Sequence, residues 1–149
     1  MSKPINDPLA VSLFSEISAI DHLFKIQLSK SLPIGMKLSQ FAILNHIATL
    51  EGEKTPVQLA RSFNLTKGAI TNTLTKLSAM GYIHTRPDWD DARSKLISIS
   101  TAGKNARNRA VDSIEPILGN LMRVMGAEKT KSIIPFLRDL RIILNNLEN

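Results

Sequence analysis

The sequence predicts a mainly α-helical fold with one small β-hairpin. Three observations carry that expectation. Apolar residues recur at spacings of three and four along most of the chain, two short helical segments are joined by a turn of very few residues, and one stretch near the middle turns to β-branched residues around a polar turn.

Leu9, Leu13, Ile17, Ile20, Phe24 and Leu28 put one apolar stripe on a helix over about residues 8–29. SLPIGMK, with Pro33 and Gly35, breaks it. Ser39 is the expected cap of a second helix, with Phe41, Leu44, Ile47 and Ala48 on one face. Thr55 and Gln58 form a capping box around Pro56, which sits at the first helical position, where its missing N–H costs nothing. This third helix is expected to bury Val57, Ala60 and Phe63 and to end at Asn64, a residue able to take the left-handed conformation. Thr66 caps the next helix almost at once, so the pair is a helix-turn-helix.

The fourth helix is built from poor helix formers: Thr66, Gly68, Thr71, Asn72, Thr73 and Thr75. On a wheel of about 100° per residue, Ile70, Leu74 and Leu77 gather on the core side. Lys67, Thr71 and Thr75 form a stripe opposite, flanked by Gly68, Asn72 and Lys76. A solvated surface helix would favour Glu, Lys and Gln instead. Short, hydrogen-bonding and basic groups suit a helix that enters a major groove, with lysine on phosphates, asparagine on adenine, and threonine offering a hydroxyl and a methyl.

Gly81 ends that helix. YIHTR at 82–86 and KLISIS at 95–100 read as strands around the polar turn PDWDDARS, which completes a winged helix-turn-helix. Asp88, Asp90 and Asp91 should repel DNA; Arg93 stands two residues after Asp91, where the carboxylate is expected to orient its guanidinium. Arg86, Arg93 and Lys95 then make the hairpin a candidate minor-groove or phosphate finger. Ser100 caps a long fifth helix in which Pro116 predicts a bend. After Gly126, a last helix spaces Ile133, Leu137, Leu140, Leu144 and Leu147 as a short a/d seam, with a kink expected near Pro135. Two terminal apolar stripes exceed what a small winged helix covers, which predicts a homodimer.

The 149 residues suffice for a single domain with a real core, and the 43% hydrophobic and 21% charged fractions are those of a globular chain. There is no cysteine, which excludes disulfides, thiolate metal sites and cysteine-based redox sensing. MSKPINDPLA lacks a signal-peptide layout and no apolar run approaches a bilayer span, so the expected location is the cytoplasm, without membrane association. The net charge is +6, and residues 54–87 contain no acid while holding Lys54, Arg61, Lys67, Lys76 and Arg86. Such an acid-free block is the footprint of a polyanion. His22, His46 and His84 fit no compact ligand pattern, so neither metal nor cofactor is expected. No phosphate loop, nucleophile elbow or paired acids point to an enzyme.

From LSQFAIL through TPVQLARSFNLTKGAITNTLTKLSAMGYIHTRPDWDDARSKLISISTAGK, the chain resembles the MarR family of bacterial transcriptional regulators. The resemblance lies in the helix order, the step from Gly81 into the hairpin, Asp91 to Arg93 in the wing, and the STAG entry to the fifth helix. It implies a homodimer on near-palindromic operators in double-stranded DNA, with residues 67–76 as the recognition helix and Arg93 at the wing tip. Ala92 stands where the family often has a second arginine, and Gly68 and Asn72 where serine and arginine are frequent. The resemblance also implies release by a small aromatic or phenolic ligand, here placed near Met36, Phe41 and Asn45 beside the Pro-Gly connection. The candidate DNA-binding residues are Thr55, Thr66, Lys67, Gly68, Thr71, Asn72, Thr75, Lys76, Arg86, Asp91, Arg93 and Lys95. The expected organisation is a reading lobe at 38–100 with dimerisation helices at 8–30 and 101–147. The rival reading is a winged helix whose acid-free block docks an acidic protein.

Overall fold

Local capping chemistry sets most of the element boundaries. In the computed structural model, which describes residues 7–147, Asp7 accepts from the Leu9 N–H at 2.9 Å and opens α1 (Pro8–Ser31) with Pro8 at its first turn. Residues 1–6, part of the stretch read for a leader, lie outside the described residues. The elements that follow are α2 (Leu38–Thr49), α3 (Pro56–Ser62), α4 (Lys67–Ala79), β1 (Ile83–Pro87), β2 (Lys95–Ile99), α5 (Thr101–Met125) and α6 (Ala127–Leu147). The fold is therefore mainly helical with a two-stranded antiparallel hairpin, as the sequence predicts. No helix of the described residues is long and apolar enough to cross a membrane.

The chain divides between Ser113 and Ile114 into two compact units. In the first, Ile43, Leu44 and Ile47 of α2 meet Leu59 of α3, Ile70, Leu74 and Leu77 of α4, Ile83 and Ile97 of the hairpin, and Ala106 of α5. Fully burying each such leucine or isoleucine stabilises the unit by about 1.5–3 kcal/mol, so this cluster dominates its stability. The hairpin register sets Ile83 opposite Ile99 and Thr85 opposite Ile97, and the Lys54 and Ile97 backbones exchange hydrogen bonds of 3.0 and 2.7 Å that add a one-residue third strand. Ser100 joins hairpin to α5: its buried Oγ donates to the Gly81 carbonyl at 2.6 Å and accepts from the Gly103 N–H at 2.9 Å.

Two expectations are corrected. The second helix begins earlier than Ser39: Lys37 is its N-cap, and the Gln40 side chain accepts from the Lys37 N–H at 2.9 Å. In α3 the fully buried side chain is Leu59, whereas Val57 is 55% exposed. Both terminal helices keep their apolar stripes uncovered. Leu9, Phe14 and Leu23 of α1 are exposed within the first unit, and Phe136, Leu137, Leu144 and Leu147 of α6 are exposed within the second. Both α5 and α6 run as helix through their prolines, Pro116 and Pro135.

Candidate nucleic-acid interface

The turn between α3 and α4 is as tight as its residues allow. Thr55 Oγ1 accepts from the Gln58 N–H at 3.2 Å, and Gln58 Oε1 accepts from the Thr55 N–H at 2.9 Å, completing the capping box. Asn64 adopts φ +49°, the sole non-glycine residue with positive φ among the described residues. That conformation turns the chain so that the Leu65 N–H reaches the Ala60 carbonyl at 3.0 Å. Thr66 then accepts from the Ala69 N–H at 3.1 Å and starts α4.

Helix α4 divides as its wheel predicts. Ile70, Leu74 and Leu77 are buried, while Lys67, Gly68, Thr71, Asn72, Thr75 and Lys76 are exposed. The threonines differ from one another in ways that composition does not reveal. The hydroxyls of Thr55 and Thr66 are occupied as caps, and that of Thr75 donates to the Thr71 carbonyl at 2.8 Å. An outside partner of Thr75 therefore meets chiefly its methyl. The Thr71 hydroxyl and the Asn72 side-chain amide make no hydrogen bond among the described residues. A Cβ added at Gly68 would meet nothing within 4 Å, so this position leaves open space at the start of the helix.

At the wing, carboxylates hold backbone. Asp88 Oδ1 accepts from the Asp90 N–H and Asp91 Oδ1 from the Arg93 N–H, both at 3.0 Å. The expectation that Asp91 holds the Arg93 guanidinium is thus corrected: the N–H two residues on is the nearer donor, and it closes an Asx turn. The Arg93 guanidinium makes no ion pair among the described residues and is exposed. Lys95, opposite Pro87, is exposed as well.

Arg86 is not a free finger. Its Nε donates to Glu53 Oε2 at 2.8 Å and its Nη2 to Glu53 Oε1 at 2.6 Å, a bidentate fork, while Nη1 donates to the Pro87 carbonyl at 3.2 Å. The guanidinium carbon lies 4.5 Å from the centre of the Trp89 ring. The hydrogen bond to Glu53 holds the Arg86 pKa above its ordinary value against a smaller desolvation, and the charges of Glu53, Asp88 and Asp90 add to it. So exposed a pair adds little to global stability; what a two-pronged fork fixes is orientation. Sequence reading missed Glu53 and Trp89. The available signals were an acid immediately before the acid-free block and the sole tryptophan standing in a polar turn.

The three effector candidates separate. Met36 lines a cavity of about 250 Å³ together with the 33–35 connection, Met80, Tyr82, Ala106 and Arg109. Phe41 is buried in α2 and is not part of that lining. Asn45 also lies outside it, with its Oδ1 accepting from Arg107 Nε at 2.9 Å. His46 packs edge-on against Phe63, ring centres 5.0 Å apart.

Residues 34–94 match the model of the MarR family. An uncharacterised helix-turn-helix-type transcriptional regulator of Bacillus cereus is 36% identical over 73 residues, which cover 49% of this chain and 47% of the relative. The chain thus spans about half the length of the curated relatives it matches. Among solved structures, a cysteine-to-serine mutant of MarR from E. coli, complexed with operator DNA, superposes with a TM-score of 0.80 at 21% identity, covering 93% of this chain and 99% of that one. The PcaV transcriptional regulator of Streptomyces coelicolor, in complex with its natural ligand, gives 0.74 at 13%, covering 95% and 96%. At these identities the structural likeness is one of fold.

Proposed function

From a winged helix whose residues 34–94 match the MarR family model, we propose that this chain is a cytoplasmic transcriptional regulator that binds near-palindromic duplex DNA as a homodimer. The observation that carries the reading is the exposed face of α4: two lysines, a side-chain amide and a hydroxyl that are unpaired among the described residues, and a glycine, on a segment without acids. In this reading Lys67 and Lys76 meet phosphates, Thr71 and Asn72 meet base edges, and Gly68 lets the helix approach closely. Thr55 and Thr66 act by fixing where α3 and α4 begin. Arg93 and Lys95 are the cations the wing offers.

The reading lobe is residues 38–100, and the helices at 8–30 and 101–147 join two copies. The uncovered stripes on α1 and α6 support the assembly, because apolar helix faces of this extent are normally covered. In this reading an aromatic or phenolic ligand at the Met36 cavity, with Arg109 supplying a cation, releases the DNA; that PcaV, a regulator of the same fold, is in complex with its natural ligand supports ligand binding alone.

Selection of bound fragments from a random-duplex pool tests the proposal. Enrichment of a two-fold symmetric motif is expected, with affinity falling steeply as salt rises. Recovery of random fragments, or affinity indifferent to salt, would instead favour the module that docks an acidic protein.

A further inference from the structure

The cluster of Glu53, Arg86 and Trp89 is not accounted for by the reading above. Arg86 sits on β1, Glu53 in the segment before α3, and Trp89 in the wing turn. They meet because the Lys54 backbone pairs with Ile97 and so brings Glu53 alongside the hairpin. Residues 83–99 carry three cations (Arg86, Arg93, Lys95) and three acids (Asp88, Asp90, Asp91). With Arg86 neutralised by Glu53, the charge left on the hairpin favours acid by three to two. An electropositive finger is not what this wing presents. Its largest exposed side chain is instead the Trp89 indole, 82% accessible, with the Arg86 guanidinium over its ring.

We infer that Arg86 is a positioning residue rather than a phosphate ligand: forked on Glu53 and stacked on Trp89, it fixes the indole as a flat apolar surface that packs against the sugar edges of the DNA groove. The inference rests on the DNA-binding reading. Three features of the geometry support it. Both edges of the guanidinium that Glu53 and Pro87 reach are occupied, so a phosphate would have to displace a carboxylate already in bidentate geometry. Stacking on the indole restrains its rotation, which lowers the ordering cost when the ring meets DNA. Tryptophan is also suited to a surface half wet and half apolar, as the wall of a groove is.

Arg86→Lys separates the two roles, because lysine keeps the charge but loses the fork and the flat stacking surface. The probe is a duplex recovered from the random pool. If Arg86 positions Trp89, Arg86→Lys and Arg86→Ala both weaken binding several-fold and leave the slope of log affinity against log salt unchanged. If Arg86 holds a phosphate, Arg86→Lys binds like the parent and Arg86→Ala flattens the slope by about one unit, which overturns the inference. Trp89→Ala should match the Arg86 variants while Trp89→Phe retains most affinity; parental binding by Trp89→Ala also overturns it. Glu53→Gln should weaken binding although it removes a negative charge near DNA, and tighter binding would mean that Glu53 merely masks a ligand. Because Trp89 is the sole tryptophan, the fluorescence anisotropy of the free protein reads the stacked ring without DNA. It should fall in Glu53→Gln and Arg86→Lys, and unchanged values overturn the positioning role by themselves. A parent chain that binds no duplex at any salt ends the underlying reading and the DNA role of Trp89 with it, a result the anisotropy does not depend on.

Discussion

The first turn of α5 rests on the Tyr82 carbonyl: a Cβ added at Gly103 would run into that oxygen and the Ile99 side chain. Tyr82 also accepts the Ser100 N–H at 3.0 Å, so hairpin and helix are joined through a gap that has no room for a methyl group. Glycine inside a helix ordinarily weakens it, and alanine there gains up to about 1 kcal/mol. At Gly103 the sign should reverse, with Gly103→Ala destabilising by about 1–3 kcal/mol through overpacking against backbone. Gly119, in the same helix with open space where its Cβ would be, is the control and should gain stability as alanine. Denaturant midpoints moving in the same direction for both variants would contradict this account of the junction.

On the face of α4 proposed to read DNA, affinity and specificity should come apart. Lys67→Ala is expected to weaken binding to every duplex and to lower the salt slope by about one unit. Asn72→Ala and Thr71→Ala should relax preference at particular base pairs, at about 1–3 kcal/mol each. Thr75 sharpens the test because its hydroxyl is turned onto the Thr71 carbonyl. Thr75→Val, which keeps the methyl, should bind like the parent, and Thr75→Ser, which loses it, should not. Binding arrays of single-base operator variants give the comparison; the opposite order for the Thr75 pair would assign the contact to the hydroxyl.

The wing turn predicts different outcomes for two replacements of one residue. Asparagine at 91 keeps an oxygen for the Arg93 N–H and removes a charge that repels phosphate, so Asp91→Asn should bind at least as tightly as the parent. Asp91→Ala loses the Asx turn and should bind less tightly. Arg93→Ala should hurt A·T-rich flanks more than G·C-rich ones, since a narrow minor groove concentrates negative potential. Titrations on duplexes differing only in their flanks measure all three.

Leu144 and Leu147 of α6 are exposed and Leu140 is partly so, on a helix with no buried residue among those described. Replacing Leu140 and Leu144 with lysine should break the proposed homodimer and abolish operator binding together, because one half-site alone binds weakly. Ultracentrifugation that still finds a tight dimer in this variant would place the interface elsewhere.

What could be read from sequence alone divides along physical lines. The caps at Thr55, Thr66 and Ser100 and the left-handed Asn64 were legible because each is settled within a few residues of chain. The buried face of α4 was legible because Ile70, Leu74 and Leu77 repeat over more than two turns. In α3, seven residues give too few turns for periodicity to choose, and Leu59 rather than Val57 turned inward. Arg93 offered the Asp91 carboxylate two donors, and nothing in the spelling ranks backbone above guanidinium. The Glu53–Arg86 pair spans 33 residues and depends on the Lys54–Ile97 bridge, which no local pattern announces.

The division of labour on α4 has a consequence for how such a protein changes over generations. The groups that hold the helix in place, Ile70, Leu74, Leu77 and the Thr66 cap, share no position with the outward stripe of Lys67, Thr71, Asn72 and Thr75. Substitutions on that stripe alter neither the packed cluster nor the turn before it, so their effect on folding stays within the few tenths of a kcal/mol typical of surface changes. On the DNA-binding reading proposed above, a duplicated copy of this gene is therefore free to drift toward a new target sequence one residue at a time, remaining folded at every step.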